Sequence, residues 1–201
     1  MSYIEPPRRI SLVYRLMLGL VERRLGKRLE ANRILTWYPK ALIGSGLMEA
    51  LVAHHERDVP RRLLTLVRVY TSFRVSCPFC IDLNSREFQQ KGISDEEILA
   101  LQAAVRLGSS DSLDSVASLS PRERAALRYA ECICKTPLEF SEAVLADMKR
   151  HFSERGIVIV ASTCAQVNFW ARLIQSLGVP PAGFSAECSI LNLETYRTLR
   201  R

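Results

Sequence analysis

The chain has 201 residues, of which 48% are hydrophobic and 24% are charged, and this balance is ordinary for one globular domain with a substantial core. The composition excludes a disordered or low-complexity chain. Six cysteines are too few for a disulfide scaffold of this length, so we predict a reducing compartment and a cytoplasmic location. The net charge of +7 is spread along predicted helix faces without the interleaved aromatic residues of a nucleic-acid binder, so we predict no nucleic-acid partner.

An apolar segment near the N-terminus is too short to span a bilayer and has no small-residue cleavage site behind it, so we predict neither a membrane span nor a secretion signal. Its apolar residues instead follow helical spacing: Val13, Leu16, Met17, Leu20 and Val21. This spacing predicts an amphipathic helix whose apolar face packs on this subunit or on a neighbouring one. A basic helix lying on a membrane surface is the alternative.

Helix signals continue along the chain. We expect one helix from Lys40 to about His55, and a second with Pro60 in its first turn that continues to a pair of cysteines. The sequence pattern of residues 81–92 predicts a further helix that ends at Gly92, a residue that suits a left-handed C-terminal cap.

The second half of the chain also predicts helices. Two capping boxes mark helix starts, Ser94 with Glu97 and Ser120 with Glu123. We predict a flexible polar loop at 108–118 and a helix capped by Ser141. The β-branched residues of 157–161 favour a strand, but no second strand-like segment exists to pair with it, so we predict a helix there. The fold class is therefore predicted to be all-α.

The motif Cys77-Pro78-Phe79-Cys80 is the most specific signal, because two thiols three residues apart can close a disulfide or share a metal. The helix formers that follow place the pair at a helix start, where unpaired N–H groups and the helix dipole favour a thiolate. Cys132, Cys134 and Cys164 lie in apolar helical patterns and are predicted to be core residues. They offer no second chelating pair for zinc, so we predict no metal and no cofactor. Redox chemistry is the leading hypothesis, and two structural thiols are the alternative.

Two stretches of the chain resemble the carboxymuconolactone decarboxylase superfamily and, within it, the alkylhydroperoxidase D-like branch. One stretch runs from Arg62 to Gly92 with the cysteine motif, and the other combines residues 119–130 with 167–180. The resemblance implies an all-α helical bundle with the cysteine pair at a helix N-terminus, assembly into trimers or multiples of trimers, and peroxide reduction. We expect a core at 61–181, an N-terminal helical extension of the same domain at 1–60, and a tail with a short helix at 182–201.

The family pattern also implies roles for the two thiols. Its second cysteine becomes a sulfenic acid and its first cysteine resolves that acid as a disulfide, which makes Cys80 the peroxidatic residue and Cys77 the resolving one. The helix start makes Cys77 the better site for exchange with an external dithiol, and these roles are compatible.

The chain departs from the family pattern at two positions that relay protons. The pattern has a His four residues after the second cysteine, where this chain has Asn84, and a Glu about twelve residues before the first, where it has Leu64-Thr65-Leu66. General acid–base help is worth about 10²–10⁴ in rate, so we expect slow turnover. Asn84 can still orient a water or hold the Cys80 sulfur.

His54 and His55 could replace the missing imidazole, or they could cap carbonyls at a helix end.

The sequence thus predicts a thiol-dependent peroxidase or disulfide oxidoreductase that takes a small peroxide and is reduced by a dithiol or lipoyl protein. Two alternatives stay open. One is an enzyme of the decarboxylase branch that acts on a small carboxylated lactone, which the dithiol disfavours. The other is a non-catalytic assembly or binding protein of the same fold.

Overall fold

The computed structural model describes residues 2–186, 188, 190 and 191, and within them the secondary structure is helical, with no strand. The α-helices are α1 Leu12–Leu25, α2 Glu30–Leu35, α3 Pro39–Ala50, α4 Arg61–Arg74, α5 Pro78–Asn84, α6 Asp95–Leu107, α7 Pro121–Cys134, α8 Glu142–His151 and α9 Glu154–Ser176. Two 3-10 helices lie at Gln89–Lys91 and Ser110–Ser115. The all-α prediction is confirmed, while much of the predicted tail at 182–201 lies outside the described residues.

Local signals at helix starts are confirmed in detail. Both capping boxes form, with each serine side chain accepting a hydrogen bond from the backbone N–H of the glutamate three residues later. Ser141 caps α8 in the same way through the N–H of Val144. The β-branched segment at 157–161 lies within α9, as predicted, so its helical surroundings override the strand preference of its residues.

The predicted helix at 81–92 is wrong as one element. Helix α5 ends at Asn84, Glu87 takes a left-handed conformation with φ of 55°, and the 3-10 helix Gln89–Lys91 follows. This break lets Phe88 turn into the core, where it is 1% exposed. Gly92 does have the predicted left-handed backbone, with φ of 76°, but it caps the 3-10 helix.

Three further boundaries differ from the predictions. The segment at 108–118 is not a plain flexible loop, because a 3-10 helix within it buries Leu113 in the main core. Helix α3 ends at Ala50, short of His55. Pro60 is the N-cap of α4 and does not lie in its first turn.

Helix α4 is the central element and packs against α5, α6, α7 and α9. Its Arg62 joins three helix starts, because the guanidinium contacts both capping-box glutamates, Glu97 at 2.5 Å and Glu123 at 2.8 Å. The two carboxylates that cap α6 and α7 therefore share one cation at the start of α4, and this contact fixes the relative positions of the three helices.

By length and hydropathy, α9 could cross a membrane. Its residues Val160 and Cys164 lie in the main hydrophobic core, and the helix packs against α4 and α7. We therefore interpret α9 as the core helix of a globular bundle.

The apolar face of α1 does not pack on its own subunit. Val13, Leu16 and Leu20 are 70%, 62% and 69% exposed, while Leu18 on another side of the helix is buried with Leu35 and Leu42. The prediction that this face packs within its own subunit is therefore wrong. Packing on a neighbouring subunit stays a prediction, and a helix lying on a membrane surface stays its alternative.

We expect a second copy of this chain to cover the α1 face, in a homo-oligomer such as a trimer or a multiple of it. Leu16→Glu should then dissociate the assembly, because the new carboxylate would be buried without a partner. Light scattering at micromolar concentration measures the mass. Leu107→Glu, at a leucine that is 72% exposed elsewhere, is the matched control and should leave the mass unchanged. A monomeric parent protein would contradict the prediction.

Candidate functional site

The two central thiols lie at the start of α5. Cys77 is the N-cap residue, Pro78 is the first helical residue, and the backbone N–H of Cys80 donates to Cys77 Sγ at 3.3 Å. The sulfur of Cys77 thus takes the place that a serine oxygen takes in an ordinary N-cap. Proline suits this position because its missing N–H would have no partner in the first turn.

The surroundings of Cys80 favour the protonated form of its thiol. A hydrogen bond with Cys77, burial, and the negative charge of Cys77 together raise the pKa of the Cys80 thiol well above its ordinary value. For Cys80 this overrides the expectation that a helix start favours the thiolate, because the neighbouring sulfur and the apolar surroundings outweigh the helix dipole. Cys80 is therefore a thiol at neutral pH and becomes a nucleophile only when a base removes its proton.

Both thiols are buried, Cys77 at 0% and Cys80 at 3% exposure. They belong to one apolar cluster that combines α2 and α5 with the end of α9 and the segment after it. Its other buried members are Leu29, Ala31, Ile34, Phe79, Ala171, Ile174 and Val179. Residues of the N-terminal extension thus cover the cysteine pair directly.

Asn84 is directed toward α4. Its Nδ2 donates to Ser72 Oγ at 2.9 Å, and Ser72 Oγ in turn donates to the carbonyl of Arg68 at 2.7 Å. The amide that replaces the family histidine therefore links α5 to α4. Thr65, near the position of the family glutamate, is buried, and its hydroxyl donates to the Arg61 carbonyl within the same helix.

The structure supplies an acid that the sequence analysis missed. Glu49 of α3 accepts hydrogen bonds at Oε2 from Gln166 Nε2 at 2.6 Å and from the Trp170 indole at 3.0 Å, both on α9. Trp170 packs against the cluster that holds the two thiols, and the charge of Glu49 is one cause of the raised pKa of Cys80. No local signal marks this residue, since 28 positions separate it from Cys77.

Asp82 is a second missed residue. It is fully buried, and its two carboxylate oxygens accept three hydrogen bonds of 2.8 Å, from the N–H of Gly183 and from the N–H and hydroxyl of Ser185. Phe184, between these two residues, packs on the cysteine cluster, with the Arg86 guanidinium over its ring. Asp82 therefore holds the segment after α9 against the site.

The other cysteines differ in their surroundings. Cys132 and Cys164 are buried, and burial raises the pKa of both thiols, in agreement with the predicted core role. Cys134 is half-buried and lies 3.8 Å from Asn168 Nδ2. Cys188 is also half-buried and packs against the main core.

Among the described residues, no group of three or more His, Cys, Asp or Glu side chains could hold a metal ion.

We expect Asp82→Asn to lower the free energy of unfolding by about 2–4 kcal/mol, because an amide nitrogen would face one of the N–H groups that the carboxylate accepts. The same change should speed alkylation of Cys77 and Cys80, since the segment at 183–185 would be released. Urea unfolding and timed alkylation measure the two effects. Asp111→Asn, at an exposed aspartate, is the control. Unchanged urea midpoints in both variants would contradict this role of Asp82.

Comparison with known proteins agrees with this architecture. No family model matches the chain. The uncharacterized protein YnjA of Escherichia coli K12 is 27% identical over 190 residues, which cover 90% of this chain and 94% of that protein.

Solved structures are more distant in sequence. A peroxidase-related protein of Ralstonia eutropha with an alkylhydroperoxidase AhpD core has a TM-score of 0.71 at 18% identity, and the alignment covers 90% of this chain and 92% of that one. The debrominase Bmp8, as a cysteine-to-alanine variant in complex with 2,3,4-tribromopyrrole, has a TM-score of 0.69 at 15% identity and coverage of 100% and 98%. The chain therefore has the all-α fold of the alkylhydroperoxidase D-like proteins, as its sequence predicts.

Proposed function

We propose that the protein is a thiol-dependent oxidoreductase that reduces a small peroxide with Cys77 and Cys80. The observation that carries this proposal is the contact between the two residues at the start of α5, where Cys77 Sγ accepts from the Cys80 N–H and the Cys77 side chain raises the pKa of the Cys80 thiol. Two sulfurs in such contact can close a disulfide with little movement of the backbone. The likeness in fold to peroxidase-related proteins supports the same class of chemistry.

The proposed reaction has two steps. The Cys80 thiolate attacks one peroxide oxygen, the O–O bond breaks, and the departing oxygen takes a proton, which gives Cys80 sulfenic acid and an alcohol or water. Cys77 then attacks the sulfenic sulfur, the disulfide forms, and the second oxygen leaves as water. An external dithiol or lipoyl protein returns both electrons and both protons to the pair.

Glu49 is the proposed proton carrier. Because Cys80 holds its proton, the first step needs a base, and the departing oxygen then needs an acid. The carboxylate of Glu49 is held by Gln166 and Trp170, and Trp170 packs against the cluster that contains the two thiols. It would take the thiol proton and return it to the departing oxygen, in place of the glutamate and histidine of the family pattern.

A second candidate is reductive removal of a halogen from a small aromatic ring. It is favoured by the lining of the site, where Phe79, Trp170 and Phe184 belong to or pack against the cysteine cluster, and by the likeness in fold to a debrominase. In this reaction the two thiols become a disulfide, one thiol proton goes to the ring carbon as the carbon–halogen bond breaks, and the other proton leaves with the halide. The decarboxylase alternative stays disfavoured by the cysteine pair, because decarboxylation of a lactone does not use a dithiol.

The test is turnover of hydrogen peroxide, an alkyl hydroperoxide and a brominated pyrrole with a dithiol reductant. We expect slow turnover of one peroxide by the parent and none by Cys80→Ser. Glu49→Gln should lose about 10²-fold in rate near neutral pH. Glu139→Gln, at an exposed glutamate on the loop after α7, should react like the parent.

The dependence on pH separates proton transfer from a merely structural role of Glu49. The pKa of Cys80 is raised, so the thiol is protonated below that pKa and forms a thiolate only as the pH rises. The deficit of Glu49→Gln should therefore be largest at neutral pH and shrink at alkaline pH, where the thiolate forms without a base. A deficit that is constant with pH would contradict the assignment of Glu49, and full peroxide turnover by Cys80→Ser would contradict the proposed function.

A further inference from the structure

A partly buried arginine beside the cysteine site has no carboxylate partner. Arg68 of α4 donates from Nη2 to the Ala53 carbonyl at 2.6 Å and contacts His54 Nδ1 from Nη1 at 2.8 Å. Its Nε is buried and meets no acceptor within the described part of the chain. By contrast, Arg62 and Arg74 of the same helix both contact carboxylates. Arg68 is thus a cation held only by neutral groups.

His54 adds a neutral hydrogen-bond donor beside this cation. An arginine nitrogen can only donate, so His54 Nδ1 is the acceptor of the contact and the imidazole carries its proton on Nε2. Partial burial and the charges of Arg68, Lys91 and Arg61 lower the pKa of His54, so the neutral ring is favoured. The exposed ring therefore offers an N–H donor next to the guanidinium.

Two further cations complete the group. Lys91, in the 3-10 helix, donates to the Arg86 carbonyl at 2.9 Å, and burial together with the charge of Arg61 lowers the pKa of its ammonium group. Arg61 is exposed at the first position of α4, where the positive end of the helix dipole adds to its charge. We call Arg61, Arg68, Lys91 and His54 the cationic cluster.

Few negative charges balance the cationic cluster. Burial lowers the pKa of the Arg68 guanidinium, and the charge of Glu49 opposes that shift only in part. The Oε2 of Glu49 accepts hydrogen bonds from Gln166 and Trp170. Glu87 acts on Lys91 and is paired with Arg86 at 3.2 Å. Like charges gathered without direct counter-charges cost stability unless a ligand compensates them.

The cationic cluster is connected to the cysteine pair through Ser72 of α4. Arg68 precedes Ser72 by one turn of α4, a rise of about 6 Å. Ser72 accepts a hydrogen bond from the Cys77 N–H at 3.2 Å through its carbonyl and one from Asn84 through its hydroxyl. The Ser72 hydroxyl also donates to the Arg68 carbonyl at 2.7 Å, which joins the two groups through α4.

We propose that the cationic cluster binds the oxyanion group, a carboxylate or a phosphate, of a small ligand beside the cysteine site. A planar guanidinium with an adjacent ammonium and imidazole N–H offers the donors that such a group accepts. The inference goes beyond the proposed redox function and does not depend on it, because anion binding can be measured without thiol chemistry.

The test is calorimetric titration of the reduced full-length protein with inorganic phosphate and with acetate at constant ionic strength. We expect saturable binding by the parent. Arg68→Gln should weaken it at least about tenfold, since it removes a charged donor. Arg61→Gln and Lys91→Gln should each weaken it about threefold. Arg106→Gln removes the same charge from an exposed site on α6 and is the matched control.

The two probes separate the ligand classes. Binding of phosphate alone identifies a phosphate ester as the ligand class, and binding of acetate alone identifies a carboxylate. If Arg68→Gln does not fold, Arg61→Gln still tests whether the cationic cluster binds the anion, because the Arg61 side chain is exposed. The proposal is overturned if neither anion binds the parent saturably, or if Arg106→Gln weakens binding as much as the variants of the cluster do.

Discussion

The position of the cysteine pair depends on Ser72, a fully buried residue of α4. Its carbonyl accepts from the Cys77 N–H at 3.2 Å, its hydroxyl accepts from Asn84 at 2.9 Å, and the same hydroxyl donates to the Arg68 carbonyl at 2.7 Å. One residue therefore fixes both ends of α5 against the central helix, the Cys77 end through its backbone carbonyl and the Asn84 end through its hydroxyl. Because buried polar groups are costly when left unpaired, removing the hydroxyl would leave Asn84 without its acceptor.

Burial of the two thiols sets the chemistry that this fold can perform. An apolar environment opposes the charged form of Cys80, so a reaction at its sulfur needs a base nearby and a route for the substrate. Both the N-terminal helices and the segment held by Asp82 cover the pair. Motion of either of these segments would control the access of a substrate to the thiols, while the Glu49 carboxylate would control the reactivity of Cys80. Slow turnover is the expected consequence of such a closed site.

Features that depend on a few neighbouring residues could be predicted from the sequence. The capping boxes at Ser94 and Ser120, and the cysteine pair at a helix start, are local patterns, and the structure has them at the expected positions. The break in the predicted helix at 81–92 has no Gly or Pro to mark it, because it arises when Phe88 turns into the core. Glu49 and Asp82 were missed for the same reason: their partners are about 100 residues away and only tertiary packing brings them together.

The central claim is that Cys77 and Cys80 form the redox pair, while the other thiols are structural. Mass mapping after mild oxidation and alkylation of the native protein tests this claim most directly. We expect a disulfide between Cys77 and Cys80, with Cys132, Cys134 and Cys164 remaining thiols that react slowly with the alkylating agent. Fast labelling of these three helical thiols, or oxidation that leaves Cys77 and Cys80 unjoined, would contradict the account.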